Sequence, residues 1–272
     1  MDLLVVGGSG FLGREVARQA QLAGDRVTAS FHSGPREIPG VEWHGLDIRH
    51  RAATVALVER VRPQVVINAA YLQTDWATTA DGGMHVADAA VRAGARLVHV
   101  SSDAVFSGRA PRYDETCTPD PVTPYGAAKA AAETAVRGLA PAAVIARTSL
   151  IIGGGESPQE IAVHGLASGA REGVLFTDDV RCPVHVGDLA GALLELARSA
   201  YSGMHHLAGA DAISRHELGV LIARRDGLDE TALPTGLRAA SGLPGALDVR
   251  LDCALSQSRL ATRLRGARSF LS

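Results

Sequence analysis

The chain opens on an unbroken apolar run, Leu3-Leu4-Val5-Val6, and runs of this kind recur through its first half. Apolar runs without alternation predict strands buried on both faces. They fall at Leu3–Val6, Arg26–Phe31, Val41–His44, Val65–Asn68, Arg96–Ser101 and Ala142–Ala146. Ala-rich stretches with helical spacing lie between them, at Phe11–Ala23, Arg51–Val61, Met84–Ala93 and Pro124–Gly138. A β-α-β order of this kind predicts a parallel sheet covered by helices, the doubly wound Rossmann-type α/β fold. Beyond Ile151 the pattern loosens. Gly153-Gly154-Gly155 breaks the chain, strand candidates shrink to Val174–Thr177, Pro183–Val186 and Met204–Leu207, and Leu228–Gly245 reads mostly as loop. Helices are expected over Gln159–Ser168, Val186–Ala197 and Ser214–Arg224. The expected division is a Rossmann-type domain over 1–152 and a smaller region over 153–272, partly interleaved with the sheet.

Composition narrows the function classes. In 272 residues the net charge is -2, so no basic surplus exists to track nucleic-acid phosphates. No apolar run approaches the ~20 residues of a membrane span, and MDLLVVGG has no secretory pattern. Cys117, Cys182 and Cys253 stand far apart, against a disulfide framework or a zinc cluster. His164 and His185 lack nearby ligand partners, and the adjacent His205 and His206 face opposite ways on a strand, so no metal is expected. A cytoplasmic globular protein is the expectation, with a homodimer left open. Among 27 basic residues only Lys129 is a lysine, and Asn68 is the only asparagine. Arg cannot replace a compact ammonium with an adjustable pKa, which singles out Lys129. Asn68 suits either a special role or a local turn.

The first strand leads into Gly7-Gly8-Ser9-Gly10-Phe11-Leu12-Gly13 and then a helix. Glycines at 7, 10 and 13 suit a tight turn, a close approach to pyrophosphate and close helix packing, with the helix N-terminus offering free N–H groups. A dinucleotide is the expected ligand. After the second strand no acid appears until Glu37, while Ser33 and Arg36 stand nearby, which points to NADP (NADPH) over NAD. Arg36 also reads as a plain solvated cation, and Asp47 either flanks the adenine or caps the next helix.

Ser101-Ser102-Asp103 closes the fifth strand, and Tyr125 and Lys129 share one face of the following helix at i and i+4. A phenol of pKa about 10 works at neutral pH when a cation stabilises its phenolate, and the strand-end hydroxyl can bind a substrate oxygen. The expected chemistry is hydride transfer between nicotinamide and a carbonyl carbon. Arg181, in Asp178-Asp179-Val180-Arg181-Cys182, reads as a grip for phosphate or carboxylate or as a loop charge.

These motifs resemble the extended short-chain dehydrogenase/reductases, and within them the dTDP-4-dehydrorhamnose reductase family. The resemblance rests on VVGGSGFLG, VVINAAY, VHVSSDAVFSG, PDPVTPYGAAK and RTSLIIG, and more loosely on HVGDLA and RLDCALS. It implies Gly7, Gly10, Phe11, Leu12 and Gly13 at the pyrophosphate, with Asp47 and Ile48 at the adenine. Ala69, Ala70 and Tyr71 would line the cofactor, and Tyr125 and Lys129 would touch the nicotinamide ribose. Ser102, Tyr125 and Lys129 would be the catalytic set, with Asp103 and Leu150 beside a sugar-nucleotide. The family's DYVF is Asp103-Ala104-Val105-Phe106 here, and its RTSWVYG is Arg147-Thr148-Ser149-Leu150-Ile151-Ile152-Gly153. Two aromatic contacts are thus lost, so dTDP-4-dehydrorhamnose is not expected to be the best substrate. Ala104 also argues against a dehydratase. The alternatives are a nucleotide-sugar epimerase and a non-catalytic NADP-binding scaffold like the regulatory subunit of methionine adenosyltransferase.

Overall fold

The computed structural model describes all 272 residues. Its first part runs β1 (Asp2–Val6), α1 (Phe11–Leu22), β2 (Arg26–Phe31), β3 (Glu42–Gly45), α2 (Arg51–Val61), β4 (Val65–Asn68), α3 (Gly82–Arg92), β5 (Arg96–Ser102), α4 (Pro124–Leu139) and β6 (Val144–Thr148). Shorter elements come next: β7 (Ile151–Ile152), α5 (Pro158–Ala167), β8 (Leu175–Phe176), β9 (Val180–Arg181) and β10 (Val184–His185). Then come α6 (Val186–Arg198), β11 (Gly203–Leu207), β12 (Ile213–Ser214), α7 (Arg215–Arg225), β13 (Thr235–Gly236), α8 (Ala254–Arg259) and α9 (Ala267–Phe270).

Seven strands form one sheet in the order β11-β6-β5-β4-β1-β2-β3, every pair parallel. The apolar runs explain it, because both faces are covered. Leu3 and Val5 join α1 and α6 in one core, and Leu4 and Val6 join α2 and α3 in the other. β1 pairs with β2 on one side and β4 on the other, so the crevice outside their carboxyl ends is where such sheets bind ligands.

Two smaller cores lie beyond the sheet, one around Ile152, Val163, Ile213 and Ile222 and one where Phe106 and Tyr113 meet Val249 and Leu251 of the C-terminal region. Within it α5 starts with a reciprocal cap. Ser157 Oγ accepts the Glu160 N–H, and the Glu160 carboxylate accepts the Ser157 N–H. The region after residue 152 is not a separate body. The chain returns to the large sheet, since α6 packs on α1 and β11 pairs along β6.

Two boundaries also moved. The strand expected at Ala142–Ala146 starts at Val144, because Ala143 N–H closes a turn onto the Ala140 carbonyl. The helix expected from Met84 is preceded by a wide π-type turn, Ala77–Asp81, that runs straight into α3. Thr79 anchors that turn by bonding both the N–H and the carbonyl of Leu72.

Candidate active site

The glycine turn at the end of β1 is built by exclusion. Gly7 has φ +78° and donates its N–H to Ser30 Oγ at 3.0 Å. A Cβ on Gly7 would lie 2.7 Å from Ala70, and one on Gly13 would lie 2.2 Å from the Gly7 carbonyl oxygen. Gly10 is the N-cap of α1 with no side chain capping it, so the first N–H groups of the helix face the crevice unclaimed. Phe11 and Leu12 open that helix, and Leu12 packs into the core beneath it. This cradle fits the pyrophosphate of a dinucleotide.

Past β2, Ser33 and Arg36 are exposed, and Arg36 Nε donates to the Ser9 carbonyl at 3.2 Å. That contact brings a cation from the β2–β3 loop against the glycine turn. Asp47 is not a helix cap: α2 has no side-chain cap at all. The Arg49 guanidinium pairs with the Asp47 carboxylate at 2.6 Å and holds it well below the usual carboxylate range. Ile48 lies in the core, close enough to α3 that a Cβ on Gly82 would come within 2.6 Å of it.

Asn68 closes β4 and shapes the bend beyond it. Its Oδ1 accepts the Ala70 N–H at 3.1 Å, and its Nδ2 lies 3.2 Å from His99 Nδ1. The only asparagine is therefore a bend-former that sets Ala69, Ala70 and Tyr71 over the crevice.

At the carboxyl end of β5 the structure brings Ser102, Tyr125 and Lys129 together. α4 starts with Thr123 as N-cap and Pro124 at its first position. Gly126 lets the helix approach the turn after β5, for a Cβ there would lie 2.0 Å from the Ala104 carbonyl oxygen. The Tyr125 and Tyr71 rings sit 5.8 Å apart, and Lys129 Nζ stands 5.0 Å from the Tyr71 ring centre. Lys129 is only 2% exposed and donates to the Val100 carbonyl at 3.0 Å. Burial pulls its pKa down to about 8, and Glu133 pulls in the opposite direction.

The sequence pattern implies that Lys129 lowers the Tyr125 pKa, but the structure differs. Burial, with Tyr71 and Asp103 nearby, pushes the Tyr125 phenol up, and a hydrogen bond with Ser102 only partly opposes it. One of the three ammonium donors is taken by the Val100 carbonyl. Burial favours the protonated phenol.

Asp103 is buried beside this set. Ser149 Oγ donates to it at 2.6 Å, and Arg181 Nε lies 3.8 Å away. Arg181 is no loose loop charge: it pairs with Asp179 at 2.8 Å and donates to the carbonyls of Val180, Ala246 and Leu247. Its bonds pin the 246–247 segment to β9 and leave its Nε towards Asp103. Leu150 packs partly buried against the Ile152 core.

The RmlD substrate binding domain family model matches residues 1–241. The chain belongs to that family. It is 32% identical to the probable low-salt glycan biosynthesis reductase Agl14 of Haloferax volcanii, across 90% of this chain and 87% of that protein. It is 34% identical to a dTDP-4-dehydrorhamnose reductase of Mycobacterium tuberculosis, across 78% of this chain and 71% of that one. The fold matches the dTDP-4-dehydrorhamnose reductase of Bacillus anthracis, solved in complex with NADP, with a TM-score of 0.82. That match covers 99% of this chain and 96% of the other at 22% identity. Membership in the RmlD family agrees with the resemblance and with the parallel-sheet fold.

Sequence reasoning missed a buried polar set behind the site. Glu133 and Arg147, each 1% exposed, form a two-pronged ion pair at 2.8 and 3.0 Å, and Ser101 Oγ donates to Glu133 at 2.6 Å. The signal was present. Arg147 interrupts an apolar strand, and Glu133 stands one turn beyond Lys129 on the same helix face. Ser149, which holds Asp103, carried no such signal.

Proposed function

We propose that this chain is an NADPH-dependent oxidoreductase of the cytoplasm that reduces a carbonyl of a sugar-nucleotide or similar polar metabolite. The sheet half holds the cofactor, and the C-terminal region closes on the substrate. The observation that carries the reading is the meeting of Ser102, Tyr125 and Lys129 at the end of β5, together with a glycine cradle that admits no Cβ at Gly7 or Gly13. The relatives' names supply the sugar-nucleotide class, and Arg36 against the glycine turn favours a 2′-phosphate.

When bound, NADPH supplies the hydride. Gly7, Gly10 and Gly13 give its pyrophosphate room, and the free N–H groups of α1 meet the negative charge. The Ser102 hydroxyl orients the carbonyl oxygen, and the Tyr125 hydroxyl holds the proton that this oxygen takes up. Lys129 keeps a positive charge under that oxygen and the ribose hydroxyls. Asp103, fixed by Ser149 and Arg181, accepts a substrate hydroxyl.

NADPH oxidation followed over a panel of dTDP-, UDP- and GDP-linked keto-sugars tests this. Turnover with at least one of them is expected, with dTDP-4-dehydrorhamnose not the best. No turnover with any, despite tight NADPH binding, would favour the scaffold alternative.

A further inference from the structure

The buried set behind the site does more than fill the core. Glu133 lies one helical turn beyond Lys129 on α4, Ser101 immediately precedes Ser102 on β5, and Arg147 lies on β6. Three hydrogen bonds from Ser101 and Arg147 to one carboxylate tie those elements together. A fourth tie comes from Lys129 Nζ to the Val100 carbonyl on β5. Arg147 also lies over the Phe106 ring at 4.8 Å and donates to the Cys117 carbonyl, so its guanidinium is fixed on every side.

The charges around Lys129 can be counted element by element. On α4 are Tyr125 and Glu133, and from the loop after β4 comes the Tyr71 ring. On β5 stands His99, which burial and Lys129 hold neutral, with a pKa of about 3. Arg147, on β6, pairs with Glu133 at 2.8 Å, and Asp103, in the turn after β5, acts on Tyr125. Glu133, one helical turn along α4 from Lys129, opposes the desolvation of the only lysine.

We infer that Glu133 is a positioning residue for the reaction: fixed by Arg147 and Ser101, its carboxylate keeps Lys129 charged and keeps α4 in register with the strand that carries Ser102. The catalytic part of this rests on the role proposed above for Lys129. The electrostatic part stands without it.

Because the chain has one lysine, protein grown on lysine carbon-labelled at Cε gives one resonance that reports the Lys129 ammonium. In the wild type its midpoint is expected near pH 8, charged below and neutral above. Glu133→Gln should lower that midpoint by about one unit or more, a tenfold change in the ratio of the two forms. Glu133→Gln strands Arg147 without a counter-charge and can fail to fold, so Glu133→Gln/Arg147→Met, which removes both charges, is measured beside it. Its midpoint should fall as well. NADPH affinity, followed against pH by fluorescence, should lose its alkaline limb at the same lowered midpoint. An unmoved midpoint in either folded variant overturns the inference. A moved midpoint with an unmoved NADPH profile overturns the positioning role. Neither readout depends on finding the sugar substrate.

Discussion

At the glycine turn and where α4 meets β5, the chain leaves room for a hydrogen atom and nothing larger. A Cβ on Gly13 would stand 2.2 Å, and one on Gly126 2.0 Å, from a carbonyl oxygen. The cluster around Asp179 is built differently. One carboxylate, 1% exposed, draws in Arg181 of β9 at 2.8 Å, Arg238 of the loop after β13 at 3.1 Å and Arg215 of α7 at 3.4 Å. The first region is set by backbone sterics within short motifs, and the second by charges brought from distant parts of the chain. Steric fit of that kind tolerates almost no substitution. An ionic cluster can be rebuilt with other partners, so its residues are freer to change than those of the glycine turn.

Breaking the ionic region should show this most strongly. Asp179→Asn leaves three guanidinium groups around a buried site without their shared anion. A loss of about 3–5 kcal/mol in unfolding free energy is expected, read by denaturant titration. NADPH affinity at temperatures where the variant is folded should stay within about threefold of wild type if the two regions are as separate as described. In the steric region, Gly13→Ala should weaken NADPH binding on the order of a hundredfold, because the methyl must displace the turn that cradles the pyrophosphate. Titration by fluorescence decides it, and tight binding by that variant would dissolve the contrast. The smallest effect tests the edge of the steric region. Arg36→Ala should reduce NADPH affinity about tenfold and leave NADH affinity unchanged, since only the 2′-phosphate loses a partner.

The legibility of the two regions obeys the same physics. Gly7 to Gly13 and Ser102 to Lys129 could be found from sequence because strand-end turns and i,i+4 helix pairs are local geometry. Unbroken apolar runs placed the six strands of the first half to within two residues. The seventh, β11, was visible as a short strand candidate but not as a member of the large sheet, since sheet order depends on long-range pairing. Arg181 was legible as a candidate, while the carbonyls that hold it, from residues 180, 246 and 247, were not. The resemblance assigned Ile48 to the adenine, while the packing of its side chain against Gly82 could not be read from the motif. Buried charges such as Glu133 and Arg147 are the general case of what a sequence hides, because a charged residue reads as surface until its partner is seen.

The central claim is that Tyr125 delivers the proton while the chain holds NADPH and a carbonyl substrate. Single-turnover oxidation of bound NADPH by the best keto-sugar, in wild type and Tyr125→Phe, tests it most directly. NADPH affinity should change by less than about threefold, while hydride transfer should fall on the order of a thousandfold, the size of a lost general acid. Transfer by Tyr125→Phe within about tenfold of wild type would contradict the account.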